Sequence, residues 1–303
     1  MLISAVETYL AVRRTAGFQL RLVEWYLRGF ARFASVRGET HVAAQTAIDW
    51  ATLGSSEADR YRRLSIVVRF ARFMRAEDPR HEIPPDEMFS GRRQRPTPYI
   101  FSDKEIQRVI ACARQLGPSG SLRPHTYSTL FGLLAVTGMR ASEVRALKLS
   151  DITPDGLVIR ESKYKKSRLV PLHLTSWAAL RRYLDRRRQV AGHDPCLFVS
   201  RRAGKLSPTV LTETFQSVLQ AAGIPDKPGE RRPRLMDLRH SFAVKALVAC
   251  PDNRDRVGQH MLALSTYLGH SKVESTFWYL ESVPQLMANI ARRCEAFVYG
   301  GAR

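Results

Sequence analysis

Between residues 3 and 89 the apolar positions recur at intervals of three and four. Val6, Tyr9, Leu10 and Val12 open one amphipathic segment. Leu22, Trp25, Tyr26, Phe30 and Phe33 form the apolar face of a second, with Arg21, Arg28 and Arg32 beside it. That spacing is the period of an α-helix burying one face. Residues 43–53 and 61–75 continue it, the latter with Leu64, Val67, Val68 and Phe73 directed inward, and breaks at 36–40 and 54–57 separate the segments. The pattern predicts a bundle of four or five helices.

The periodicity stops at Pro84-Pro85. From there to Pro98 the chain is rich in Pro, Arg and Gly, a composition that fits neither a helix nor a central strand. We read residues 1–90 as one helical domain, 91–100 as a linker and 101–303 as a second domain. Arg92, Arg93 and Arg95 of the linker are candidates to follow a phosphate backbone. Ser102-Asp103-Lys104-Glu105 carries a capping-box pattern and opens a helix to about Gln115. The apolar run Tyr127 to Val136 predicts a buried helix ending at Gly138, followed by a short helix over 141–149. The period then changes to two. Pro154-Asp155-Gly156 is a turn, 157–159 and 168–171 are strands, and the lysine-rich segment 162–167 is the hairpin loop between them. Helices are expected over 177–190, from Ser207-Pro208 to Ala222, and over 237–249, 272–282 and 284–297. The chain is thus mainly α, a helical bundle followed by a mostly helical domain with a small antiparallel sheet.

Charge changes the picture. The chain of 303 residues has a net charge of +20 and a pI near 10.5. Residues 1–90 carry 13 Lys and Arg against 11 Asp and Glu, whereas 91–303 carry 35 against 17. An excess concentrated in one region implies a polyanionic partner, nucleic acid first. Single runs such as Arg186-Arg187-Arg188 also fit a solvated helix face. No apolar stretch is long enough for a transmembrane helix, and we read no secretion signal. Cys112, Cys196, Cys250 and Cys294 are isolated and lack metal-ligand spacing, which fits a reducing compartment and a cytoplasmic location.

The candidate chemistry lies in ordered fragments of the second domain. Arg140 sits in Thr137-Gly138-Met139-Arg140-Ala141-Ser142-Glu143, and Lys163 precedes Leu169-Val170-Pro171-Leu172. Arg239 sits in Leu238-Arg239-His240, His270 in Leu268-Gly269-His270, and Tyr279 follows nine positions later. A phosphodiester under attack gains charge on its non-bridging and leaving oxygens. Paired guanidinium groups match that charge, a lysine can protonate the leaving alkoxide, and a tyrosine activated by cations can attack. Such a set needs neither metal nor ATP, so no cofactor is expected. Each member alone has an ordinary reading, Tyr279 as a core aromatic and His270 as a loop histidine. Lys165 and Lys166 share the loop of Lys163, though counting back from Val170-Pro171-Leu172 favours Lys163. Their joint order is what points to a reaction.

At these residues the chain resembles the tyrosine recombinases, the phage-integrase family that includes the Xer-type enzymes, over almost its whole length. Thr137 to Leu147 and Tyr267-Leu268-Gly269-His270-Ser271 carry the match. The resemblance implies the tyrosine-recombinase fold, with an N-terminal core-binding bundle (SAM-like) and a catalytic domain forming a clamp on duplex DNA. It implies that Arg140 and Arg239 are the catalytic arginines and Lys163 the hairpin general acid. His270 would steady the phosphate and the attacking oxygen, Tyr279 would be the nucleophile, and Glu143 would orient Arg140. Lys165, Lys166, Arg168, Arg231, Arg232 and Arg234 are further candidates for DNA contacts. The partner implied is a double-stranded recombination site, bound by a homo-tetramer in the synapse and by a monomer otherwise free in solution.

Two positions depart from the family pattern. Met236 stands three residues before Arg239, where the family usually has histidine. A thioether neither accepts a proton nor donates a hydrogen bond at neutral pH, so cleavage is expected to be slowed by ~10²–10⁴-fold. His240 is offset by about 100° from Arg239 on a helix and lies roughly opposite Met236, which makes it a poor substitute though a candidate supporting residue. Residues 248–261 read as an unassigned insertion. The expected function is a site-specific recombinase of integrase or transposase type. The rivals are a type IB topoisomerase, using the same chemistry without synapsis, and a DNA-binding regulator that retains the fold with impaired chemistry.

Overall fold

The computed structural model describes residues 2–90, 97–160, 167–191, 194–200, 204–224, 226, 231–249, 254–269, 276, 278 and 279. The chain divides into two compact units, Met1–Arg95 and Pro96–Arg303.

Four helices make the first unit: α1 (Leu2–Thr15), α2 (Arg21–Val36), α3 (Ala44–Thr52) and α4 (Glu57–Arg75). Their inward positions, among them Leu10, Leu27, Phe30, Trp50, Val67 and Phe70, form one core. The buried stripe of α2 is Tyr26, Leu27, Phe30, Ala31 and Ala34. Leu22 and Trp25, expected on the apolar face, are instead 54% and 64% exposed. At 100° per residue Trp25 falls on roughly the opposite side from that stripe, so the i, i+3, i+4 face is centred on Phe30, not on Trp25.

The second unit has helices α5 (Asp103–Ala113), α6 (Arg123–Thr137), α7 (Ala141–Ala146), α8 (Leu174–Ala191), α9 (Pro208–Ala221), α10 (Leu235–Val248) and α11 (Arg254–Leu268). The first carries the capping box read from sequence, with the Ser102 hydroxyl accepting from the Glu105 N–H and the Glu105 carboxylate accepting from the Ser102 N–H. Buried α6 and α9 supply Leu130, Phe131, Leu134 and Phe215 to the core. The helix expected over 141–149 stops at Ala146. Leu147 turns extended, its carbonyl accepts from the Leu197 N–H at 2.8 Å, and a 3₁₀ turn follows at Leu149–Asp151.

Strands β1 (Ile152–Thr153), β2 (Gly156–Ile159) and β3 (Arg168–Val170) form an antiparallel sheet in that order, with Leu157 opposite Val170 and Ile159 opposite Arg168. Two residues are too few to show a period, which is why β1 has no sequence signal. Gly156 is obligatory here, because a Cβ would lie 2.2 Å from the Val170 carbonyl oxygen. Of the stretch 248–261, residues 250–253 lie outside the described residues and 254–261 are the start of α11, whose Met261, Leu264 and Leu268 pack on Val244 and Leu247 of α10. Those three residues do recur at three and four. The helices expected over 272–282 and 284–297 lie outside the described residues, except that 276, 278 and 279 are helical.

One charged residue is a structural element in its own right. Arg187, 1% exposed, donates to the carbonyls of Asp194, Cys196 and Leu197 from the Arg186-Arg187-Arg188 run. It therefore belongs to neither a solvated face nor a phosphate contact. Among the described residues no helix is long and apolar enough to cross a membrane.

Candidate active site

The site is assembled where two helices begin. Helix α6 ends at Gly138 in the left-handed conformation (φ 59°), where a Cβ would lie 2.5 Å from the Phe242 ring. The chain then reverses, and Arg140 becomes the residue preceding α7. Glu143, three residues on, accepts from the Arg140 backbone N–H at 2.9 Å and from its guanidinium at 2.6 Å. Arg168, from β3, donates to both Glu143 oxygens at 3.0 and 2.8 Å. Burial alone would raise the Glu143 carboxyl, but the hydrogen bonds from Arg168 and Arg140 and the charge of Arg168 hold it down at about 2. It is a fixed anion clasped by two cations, and Arg140 also donates to the Gly269 carbonyl at 2.7 Å.

Helix α10 places the second arginine. Arg239 is buried and donates to the carbonyls of Gly138 and Leu268 at 2.6 and 2.7 Å. Burial lowers its pKa to about 10, with the charge of Arg140 adding to the effect. Arg140 and Arg168 bond the one carboxylate, and Arg239 lies near enough to feel the charges of all three, leaving a net positive centre suited to an anion. Two backbone carbonyls fix the Arg239 plane, one accepting from each terminal nitrogen.

Tyr279 is 2% exposed and packs with Val244, Leu247 and Leu268. Its hydroxyl is 2.9 Å from His240 Nδ1, and the Trp278 ring stands edge-on to the same imidazole at 5.4 Å. His240 is therefore better placed than its helical offset suggests. The offset relates it only to its own helix, whereas the segment carrying Tyr279 packs against the side that His240 faces. Met236 lies at the first turn of α10 and is 40% exposed.

Asp237, fully buried, accepts from the Arg234 backbone N–H at 2.6 Å and from Arg231 at 3.3 Å to both oxygens. Burial pushes its carboxyl up to about 6, against the pull of Arg231. Its Oδ1 is 4.0 Å from His240 Nε2.

The structure brings together Arg140, Glu143, Arg239, His240 and Tyr279. Lys163, Lys165, Lys166, His270, Arg92, Arg93 and Arg95 lie outside the described residues. Of the residues read as DNA contacts, Arg168 is turned inward onto Glu143, Arg231 onto Asp237, and Arg232 pairs with Asp226 at 2.7 Å, while Arg234 is exposed. Arg168 in the arginine cluster and Asp237 behind His240 were not anticipated. An Asp at the third position of a helix is a sequence signal for a cap, so Asp237 was within reach.

Elsewhere, Arg21, Arg28, Arg32 and Arg63 line an opening of about 550 Å³ together with Trp25 and Trp50. An opening of about 1080 Å³ lined by α5, α6 and α8 contains none of Arg140, Glu143, Arg239, His240 and Tyr279. His41, Asp78 and His81 lie close enough to suggest a metal site. Their hydrogen bonds argue against one. The Val42 N–H donates to His81 Nδ1 at 3.1 Å, so the ring proton resides on Nε2, and Arg80 already neutralises Asp78 at 2.8 Å.

Residues 100–285 match the phage integrase family. The chain belongs to that family. The Sinorhizobium fredii protein y4rB, which bears a provisional integrase/recombinase name, is 39% identical over 96% of both chains. Tyrosine recombinase XerD of Rhizobium meliloti is 30% identical over 79% of this chain and 75% of its own. The fold is shared with XerH, solved with its difH substrate after cleavage, at a TM-score of 0.67 and 17% identity over 89% of this chain and 78% of that one. The activity of the chain is accordingly that of a tyrosine recombinase, and its mainly helical fold is that of the integrases.

Proposed function

We propose that the recombinase cuts and rejoins duplex DNA through a covalent 3′-phosphotyrosine at Tyr279. The observation that carries this is the convergence of Arg140 and Arg239 on the Gly138, Leu268 and Gly269 carbonyls, with Tyr279 one hydrogen bond from the neighbour of Arg239. Arg140 and Arg239 bind the non-bridging oxygens, and Glu143 with Arg168 holds Arg140 in place. Lys163 protonates the leaving 5′-oxygen, and His270 steadies the phosphate. Both roles rest on family resemblance. Arg234, the linker arginines Arg92, Arg93 and Arg95, and Lys165 and Lys166 contact the backbone, adding a salt-dependent share of affinity. The recombination of two duplexes calls for four active sites. The lambda integrase, solved as a tetramer on a Holliday junction, supports a synaptic tetramer here. A DNA substrate and the isolated cysteines support a cytoplasmic location.

The test is incubation with a pool of nicked suicide duplexes tiled across the DNA flanking the chain's own coding sequence. A covalent adduct mapping to Tyr279, and absent from Tyr279→Phe, is the expected result. An adduct that persists in Tyr279→Phe, or none from any duplex, overturns the reading.

A further inference from the structure

Met236 leaves the recombinase without the histidine that its family resemblance leads one to expect, yet the nucleophile is not without a base. We infer that His240 is the proton acceptor for Tyr279, oriented from behind by Asp237. The inference rests on the assignment of Tyr279 as nucleophile.

Three observations meet at His240. Its Nδ1 lies 2.9 Å from the Tyr279 hydroxyl, the distance of a direct hydrogen bond between base and nucleophile. Its Nε2 faces the buried Asp237 carboxylate at 4.0 Å. A carboxylate on that side favours the neutral tautomer with its proton on Nε2, which leaves the Nδ1 lone pair directed at the tyrosine. Finally, Trp278 packs edge-on against the ring and limits its rotation. Met236, by contrast, is exposed on the first turn of the same helix and carries no basic atom.

The step balances without a cofactor. The Tyr279 O–H bond breaks and its proton moves to His240 Nδ1. The oxygen lone pair forms the new bond to phosphorus, the bond from phosphorus to the 5′-oxygen breaks, and that oxygen takes a proton from the general acid, Lys163. Religation runs the same transfers backward, the imidazolium returning its proton to the departing Tyr279 oxygen. The positive charge gained by His240 is offset by Asp237, whose own charge is held by Arg231. Arg239, next to His240 in the chain and near Tyr279, favours the phenolate in the same step.

His240→Gln and His240→Ala are compared with the wild type in single-turnover adduct formation, on whichever duplex of the tiled pool the wild type cleaves. Glutamine keeps a hydrogen-bond acceptor near Tyr279 but cannot take up a proton. Both variants are expected to bind DNA normally by mobility shift and to cleave roughly 10²-fold more slowly. The wild-type rate should fall as acid protonates the imidazole. Among the described residues, the titratable groups facing that imidazole are Asp237 of α10 and Tyr279, with Arg231 behind Asp237, so Asp237→Asn is profiled as well. In His240→Gln the acid limb set by the imidazole should vanish, whereas Asp237→Asn should keep it, displaced in pH. Cleavage by His240→Gln at the wild-type rate overturns the inference. So does faster cleavage, which would mean that His240 holds Tyr279 back. If Tyr279→Phe still forms the adduct, the nucleophile assignment fails instead. Loss of the adduct in Tyr279→Phe with full activity in His240→Gln sinks the inference alone.

Discussion

Helices α7 and α10 begin in the same way and end up in opposite electrostatic states. In each, the backbone N–H of an arginine just before the helix donates to a carboxylate three residues later, Arg140 to Glu143 at 2.9 Å and Arg234 to Asp237 at 2.6 Å. Both carboxylates are buried. Glu143 nevertheless titrates at about 2 and Asp237 at about 6. The difference lies in the partners. Two guanidinium groups close on Glu143 within 3.0 Å, whereas one guanidinium meets Asp237 at 3.3 Å. Desolvation works alike on both; the number and closeness of the cations decides which group stays charged. One helix start thereby becomes a fixed anion that locks arginines in position. The other becomes a poised acid that can respond to charge on a neighbouring imidazole.

The largest break in this comparison comes from Glu143→Gln. Removing one partner of a buried ion pair costs about 3–5 kcal/mol, because the remaining charges lose their compensation. Here two guanidinium groups are left facing each other, and Arg140 loses its orientation. We expect a drop in melting temperature and at least ~10²-fold slower adduct formation. A variant with wild-type cleavage would show that Arg140 does not depend on Glu143.

Acid titration of stability separates the two carboxylates by sign. The Glu143 pKa is depressed in the folded chain, so its contribution is present above the usual 4.5 and disappears as the pH falls towards 2. The Asp237 pKa is raised, so the folded chain binds the proton more tightly and stability falls as the pH rises from about 4 to about 6. Taken alone, the Asp237 contribution amounts to at most about 3 kcal/mol. Asparagine at 237 keeps an acceptor for the Arg234 N–H but cannot ionise. Asp237→Asn should therefore gain on the wild type across that window in denaturant melts, while Glu143→Gln should close its deficit towards pH 2. Parallel curves for all three chains would show that these groups do not titrate as described.

Much of this arrangement was legible in the sequence because it is local. Helical periodicity located the four helices of the first unit, and the order of Arg140, Arg239 and Tyr279 marked three residues that the fold brings close together. What escaped was set by distant partners. Arg168 read as a phosphate contact because nothing in the sequence near β3 shows that Glu143, 25 residues earlier, lies beneath it. His240 read as a poor substitute because a helical wheel is blind to a segment 39 residues later. Trp25 has the right spacing for a core residue, yet three- and four-residue intervals cannot by themselves say on which side a stripe is centred. Arg187 shows the same limit in reverse: a residue inside a charged run can be a buried cap for three carbonyls.

A third helix start gives the smallest and most selective test. Ser102 and Glu105 at α5 form the same box with a hydroxyl as the cap and, among the described residues, no guanidinium hydrogen-bonded to it; the Glu105 carboxylate accepts from Tyr99 instead. Burial there raises the Glu105 carboxyl, but the hydrogen bonds from Tyr99 and Ser102 outweigh it and leave the group below its usual value. Neutral donors, helped by the charge of Arg108, hold the carboxylate down where no guanidinium bonds it directly. Ser102→Ala removes the cap acceptor and should cost about 1 kcal/mol, read as a modest fall in melting temperature. Cleavage and DNA affinity should not change, because α5 presents none of the groups gathered around Glu143 and Tyr279. If Ser102→Ala slowed cleavage as strongly as Glu143→Gln, the loss at Glu143 would be one of general stability, and the distinction between a structural cap and one that positions a catalytic arginine would collapse.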